Sequence, residues 1–151
     1  MSKNSVLKIA FAGIAGGFVG NGILGALFST PFIQEVLYKP EWQSKIYIEL
    51  TPQRNIPISV AGLVALSIVH SWLFNLLMPS IPGNTWVKKG LFWGTAICLM
   101  YWLFQEWFMF NALLREPLLL CLLEMVLLFI GSIVEGVVIA FFLARKSKGG
   151  I

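Results

Sequence analysis

Four apolar runs, each about 20 residues or longer, dictate what this chain can become. They are residues 9–29, 58–78, 90–110 and 118–144. An α-helix rises about 1.5 Å per residue, so about 20 residues cross the hydrocarbon of a bilayer. Peptide N–H and C=O groups find no partner in hydrocarbon, and a helix satisfies them internally. The sequence therefore predicts an all-α fold, an integral membrane four-helix bundle, with residues 1–151 as one membrane domain. Charge agrees with this reading: only 12% of residues are charged and 58% are hydrophobic, where a soluble domain carries about 25% charge. All seven acidic residues are Glu, and the absence of Asp, a poor helix former, suits a mostly helical chain.

Prolines punctuate the runs. Pro57 opens the second and Pro79 closes it; Pro117, after Glu116, opens the fourth. The ring fits a first helical turn, where its missing N–H is no loss, and blocks continuation at an end. A carboxylate at Glu116 would meet the positive end of the helix dipole. The first run is too long and too rich in glycine for a signal-peptide core, so it is read as retained. The fourth exceeds the bilayer thickness and must tilt or project.

Basic residues set the orientation. Lys3, Lys8, Lys88, Lys89, Arg145, Lys146 and Lys148 fall on one side of the predicted membrane; Lys39, Lys45, Arg54 and Arg115 fall on the other, with Glu35, Glu41 and Glu49 to offset them. Both termini are expected in the cytoplasm, in a multi-pass protein of the cell inner membrane. The outer loop, residues 31–57, carries Phe32, Tyr38, Trp42 and Tyr47 and is expected to lie along the interface, where Trp and Tyr are favoured. Alternation through Ile46, Ile48 and Leu50 gives a weak strand-like pattern within it. The loop could cap the bundle or dock a partner.

Gly13, Gly16, Gly17 and Gly20 recur at spacings of three and four in the first run and so share one face. Small residues at that spacing let two helix backbones approach closely. The stripe serves either packing within the chain or a homo-oligomer.

Glu106, Glu124, Glu135 and His70, the only histidine, lie inside the apolar runs. An ionisable group in hydrocarbon costs a few kcal/mol or more, so it faces protein or a cavity and has a partner or a task. Depth sorts these groups into two layers. Asn21, Glu106 and Glu124 fall roughly 6–12 Å from the outer helix ends; His70 and Glu135 fall about 14 Å from the inner ends, with Ser67 and Ser71 near His70. The short turn between the third and fourth runs makes them antiparallel neighbours and brings Glu106 toward Glu124. Two carboxyls so close cannot both ionise cheaply. Equal depth likewise predicts a contact between His70 and Glu135. These five residues are the ligand-binding or proton-path candidates; each could instead hold its helix in register through hydrogen bonds. Six aromatic residues surround Glu106 in MYWLFQEWFMFN, an arrangement that suits a proton-exchanging or cation-binding carboxyl and equally an interfacial aromatic belt.

No catalytic residue emerges. Gly-x-Ser-x-Gly, phosphate loops and nucleophile–base pairs are absent. A di-iron site wants Glu three residues before His, and that position is Ser67. No metal and no cofactor is therefore expected; one imidazole could supply one axial bond to a haem or pigment. Cys98 and Cys121 lie in apolar runs without CxxC spacing and read as small hydrophobes. The net charge of +4 collects at helix ends, which points to anionic headgroups of the lipid bilayer and not to nucleic acid.

The stretch from Gly90 to Gly136, GLFWGTAICLMYWLFQEWFMFNALLREPLLLCLLEMVLLFIGSIVEG, preceded by HSWLFNLLMPSIPG, resembles small uncharacterised four-span bacterial integral membrane proteins. That resemblance implies the architecture and no activity.

Two functions fit these residues. The first is a non-enzymatic membrane component, an accessory subunit in a larger membrane complex or a binder of a lipid or hydrophobic ligand. The second is a small transporter or proton-coupled carrier using the intramembrane Glu residues. Four spans are few for one transport unit, so the second reading requires an oligomer.

Overall fold

A computed structural model of the chain describes residues 3–37, 39 and 56–145, and every regular element in them is helical. These are α1 (Lys3–Phe28), α2 (Pro31–Leu37), α3 (Ile56–Leu77), α4 (Trp86–Ile97) and α5 (Leu118–Ala144), with two π-helical segments, Cys98–Trp102 and Phe104–Leu113, between α4 and α5. Three stretches are long and apolar enough to cross a membrane: Ser5–Phe28, Pro57–Leu77 and Leu118–Ala144. They coincide with the first, second and fourth apolar runs. The strand-like alternation at Ile46–Leu50 lies outside the described residues.

The third run departs from expectation. It starts earlier, at Trp86, where Thr85 caps the helix by accepting a hydrogen bond from Lys88 N–H at 3.3 Å. After Ile97 the helix widens. Leu103 N–H donates to Cys98 O and Leu114 N–H to Met109 O, five residues back instead of four. This run is dense in aromatic side chains, which lose χ1 freedom against the preceding turn of an α-helix. Tyr101 meets Trp102 edge to face, and Phe104 stacks on Phe108 with centroids 5.1 Å apart. Each widened turn rotates the residues beyond it, so Glu106 is buried while Trp107, Phe108 and Met109 are exposed.

Glycine contacts fix the packing. A Cβ at Gly16 would lie 2.9 Å from Ile139, and one at Gly20 would lie 2.9 Å from Gly131 O, so α1 runs antiparallel to α5. A Cβ at Gly13 would lie 2.6 Å from Ser67 O and 2.7 Å from Ile68 Cα, and Gly17 faces the Ser67 side chain, so α1 also runs antiparallel to α3. Gly94 meets Ile133 and Gly90 meets Val137, which sets α4 antiparallel to α5. The glycine stripe of α1 is thus consumed within the chain, two residues against each neighbour.

Two apolar cores result. Phe74, Ile81, Trp93, Ile97, Ile139 and Ala140 pack at one end, with Phe74 and Trp93 edge to face at 5.9 Å. Leu24, Ile33, Leu37, Leu120, Leu127 and Leu128 pack at the other. The second core draws in α2, a helix within the stretch expected to be loop: Pro31 starts it and its Ile33 and Leu37 are buried. Lys89 closes the turn after α3 by donating from Nζ to Met78 O and, at 3.1 Å, to Ile81 O. A lysine there satisfies carbonyls that the helix end leaves open.

Candidate functional site: two buried polar centres and a groove

The first centre joins α3 to α5. His70 Nδ1 lies 2.9 Å from Glu135 Oε1, and both residues are 8% exposed. Antiparallel packing on α1 positions both helices, and Gly16 and Gly20 let the Glu135 backbone come close. A neutral imidazole can donate to a carboxylate or accept from a protonated one, so either state is satisfied. Ser67 and Ser71 do not join this centre. They share a face four residues apart, turned to α1, where Ser71 Oγ donates to Ile9 O at 2.7 Å.

The second centre lies where the π-helical segment meets the start of α5. The Glu106 and Glu124 carboxyls lie within electrostatic reach of each other. Glu106 is 2% exposed and Glu124 half-buried.

The other expected member, Asn21, is not part of this centre. Its Nδ2 donates to Gly17 O, on its own helix, at 2.8 Å. Glu116 takes the third place instead. Its sequence position suggests a carboxylate at the dipole of the fourth helix, but its side chain is buried, with the charge of Glu124 acting on it. The turn places it there. Arg115 adopts a left-handed conformation (φ 58), Glu116 N–H donates to Phe110 O at 3.0 Å, and Asn111 Nδ2 donates to Glu116 O at 2.8 Å. Burial first, and then the Glu124 charge, push the Glu116 carboxyl up to about 7. Counting depth outward from the turn would have included Glu116, because it sits at the same end as Glu106 and Glu124.

Three buried side-chain atoms have no hydrogen-bond partner among the described residues: Trp93 Nε1, Ser132 Oγ and Glu106 Oε2. No group of three or more His, Cys, Asp or Glu among the described residues is arranged to hold a metal ion. Cys98 and Cys121 are free thiols, both buried.

Asn21 belongs to a third feature, a groove of about 240 Å³ between α1 and α3. Ile14, Gly17, Phe18, Gly22, Val60, Leu63 and Val64 line it with Asn21. Its walls are apolar and carry one amide. A Cβ at Gly22 would meet nothing within 4 Å, so the groove is open at that point.

Comparison with known protein families, with curated proteins and with solved structures gives no match to this chain.

Proposed function

We propose that the chain is a non-enzymatic integral membrane protein that binds a lipid or other hydrophobic ligand in the groove between α1 and α3. One observation carries this reading: an apolar groove with a single amide, between two helices of membrane-crossing length. A pocket that binds an apolar molecule is mostly hydrophobic, with a few polar groups to orient it. In this reading Trp86–Leu113 is a fourth crossing, packed antiparallel to α5 and widened where the aromatic residues crowd. The basic residues at the helix ends support a cytoplasmic side for both termini. The resemblance over Gly90 to Gly136 to small four-span bacterial proteins supports the bacterial inner membrane. The same bundle could serve as an accessory subunit, with the bound lipid at its interface.

Filling the groove tests the binding. Gly22→Leu places a side chain in open space inside it, and Gly25→Leu places one in open space outside it. Mass spectrometry of gently purified protein should find a retained lipid or small molecule with wild type and Gly25→Leu and lose it with Gly22→Leu. Equal retention by all three would refute the groove as the site. Cysteine accessibility at Ser2 and Gly149 tests the orientation, which labelling from the outer side of intact cells would reverse.

The transporter reading draws on the carboxyls. Along α5 the order is Glu124, then Leu127 and Leu128, then Glu135, and Leu24 of α1 packs with those two leucines. An apolar layer therefore stands between the two polar centres, and a proton route would have to pass around it in an oligomer.

A further inference from the structure

We propose that the basic end of the bundle carries a second lipid site, a ledge of aromatic rings bordered by Lys8 and Arg145 that seats the phosphate of an anionic phospholipid headgroup. The site is separate from the groove. It rests on the membrane-spanning part of the reading above and not on the groove's ligand.

Aromatic rings join three helices at this end. Trp86 of α4 meets Phe141 of α5 edge to face, with centroids 5.4 Å apart. Phe141 meets Phe142 at 5.3 Å, and Phe142 meets Phe11 of α1 at 5.1 Å. The antiparallel packing of α1 and α4 on α5 brings these rings to one level. Phe11 and Phe141 are exposed, so the ledge faces outward and not into a core. Two cations border it. Arg145 stands one turn beyond Phe141 and folds back over it, with Cζ 4.8 Å from the ring centroid. Lys8 is exposed and stands one turn before Phe11. α5 has 27 residues, where about 20 cross the hydrocarbon, so its last turn reaches the headgroups.

This arrangement selects a phosphate on a lipid. Stacking on Phe141 covers one face of the guanidinium and leaves its in-plane N–H donors for a ligand. That fork matches two phosphate oxygens. Holding the side chain on the ring also reduces the rotamer freedom that it would lose on binding. The stretches that build this end, residues 1–34, 79–105 and 136–151, contain no Asp or Glu. The next acid along α5, Glu135, is already bonded to His70. An anion arriving here therefore meets cations with no carboxylate from those stretches beside them. The exposed rings of Phe11 and Phe141 offer apolar contact next to the donors. The glycerol and first methylenes of a lipid use that contact, and a free phosphate does not.

Labelled phosphatidylglycerol is titrated into the full chain in nonionic detergent, with phosphatidylcholine and inorganic phosphate as competitors. Saturable binding of phosphatidylglycerol is expected. Phosphatidylcholine, whose phosphate brings its own cation, should compete about tenfold or more weakly, the factor that one charge-assisted hydrogen bond supplies. Inorganic phosphate should not compete. Equal competition by phosphatidylcholine, or absence of saturable binding, would overturn the proposal, and displacement by inorganic phosphate would overturn the lipid as its source. These measurements use the unaltered protein, so a folding defect in a variant does not decide them. Variants separate a built site from diffuse basic charge. Arg145→Gln should weaken binding about fivefold or more. Phe141→Leu keeps every charge but removes the ring beneath the guanidinium, and should weaken binding about twofold to fivefold. Lys88 is exposed at the same end but turned toward Gly83, off the ledge. Lys88→Gln should therefore leave binding unchanged. Equal weakening by Lys88→Gln and Arg145→Gln would overturn the ledge, because net charge alone would then account for binding. Gly22→Leu, which fills the groove, should keep phosphatidylglycerol binding. Its loss there would place the lipid in the groove and overturn the ledge site, whereas loss of the groove ligand with phosphatidylglycerol retained keeps the two sites' failures apart.

Discussion

His70 Nδ1 on α3 lies 2.9 Å from Glu135 Oε1 on α5, while α1 presents glycine to both of those helices. The contact ties two segments 65 residues apart in sequence. It removes two polar groups from hydrocarbon at once. Intramembrane hydrogen bonds average about 0.6 kcal/mol, because the unfolded chain in the membrane also finds partners. Deleting one side of the pair is worse, since it leaves the other buried and unmet.

Glu135→Gln should therefore be milder than Glu135→Leu. The amide keeps a donor and an acceptor for the imidazole, and Leu keeps neither. A loss of about 1–3 kcal/mol is expected for Leu and clearly less for Gln, read as thermal stability in detergent. If the two substitutions prove equally harmless, the contact has no structural role.

Gly13→Ala should destabilise and Gly22→Ala should not, although both sit in the same helix. The new methyl at Gly13 would meet backbone atoms, Ser67 O at 2.6 Å and Ile68 Cα at 2.7 Å, which move only with the whole helix. At Gly22 it would meet nothing within 4 Å. Overpacking of this kind costs about 1–3 kcal/mol, and thermal melts of the two variants against wild type measure it. Equal melting temperatures would contradict the close packing of α1 on α3.

The first, second and fourth helices are legible in the sequence, because length and apolarity alone decide them; Leu118–Ala144 matches its predicted bounds. Depth counting pairs His70 with Glu135 and Glu106 with Glu124, since rise per residue is nearly constant in a helix. It misplaces Asn21, because depth says nothing of azimuth and Asn21 is turned toward α3. The widening after Ile97 is not legible: the aromatic run is visible, but its effect on hydrogen bonding depends on how bulky neighbours pack. Depth alone puts Glu116 at the end of Glu106 and Glu124, but its burial depends on a turn through a left-handed Arg115, a conformation few non-glycine residues adopt. The glycine stripe is visible, but its division between two partners requires both of them in place.

Lys89→Met should loosen the connection between α3 and α4. The ammonium holds Met78 O and Ile81 O, and Met preserves the apolar stem while removing the donors. A loss of about 1 kcal/mol is expected, along with faster proteolysis between Pro79 and Thr85. An Arg in its place should retain part of the effect. Unchanged stability and unchanged cleavage would show that the two contacts contribute nothing.

Glu116 gives the chain a pH-dependent stability whose sign is fixed. Its carboxyl lies at about 7 in the folded protein against an ordinary 4.5, through burial and then the Glu124 charge. Between those values the folded state holds the proton more tightly than the unfolded state does. Stability from this group is thus fully present below about pH 4.5 and is lost as pH rises through about 7. A melting temperature that falls across this window is expected for wild type. Glu116→Gln, which keeps the shape and cannot ionise, should flatten that fall and raise stability above pH 7. Glu35→Gln, at an exposed position of α2, should leave the profile as it is. If Glu116→Gln follows the wild-type curve throughout, then Glu116 does not titrate within the buried carboxyl centre.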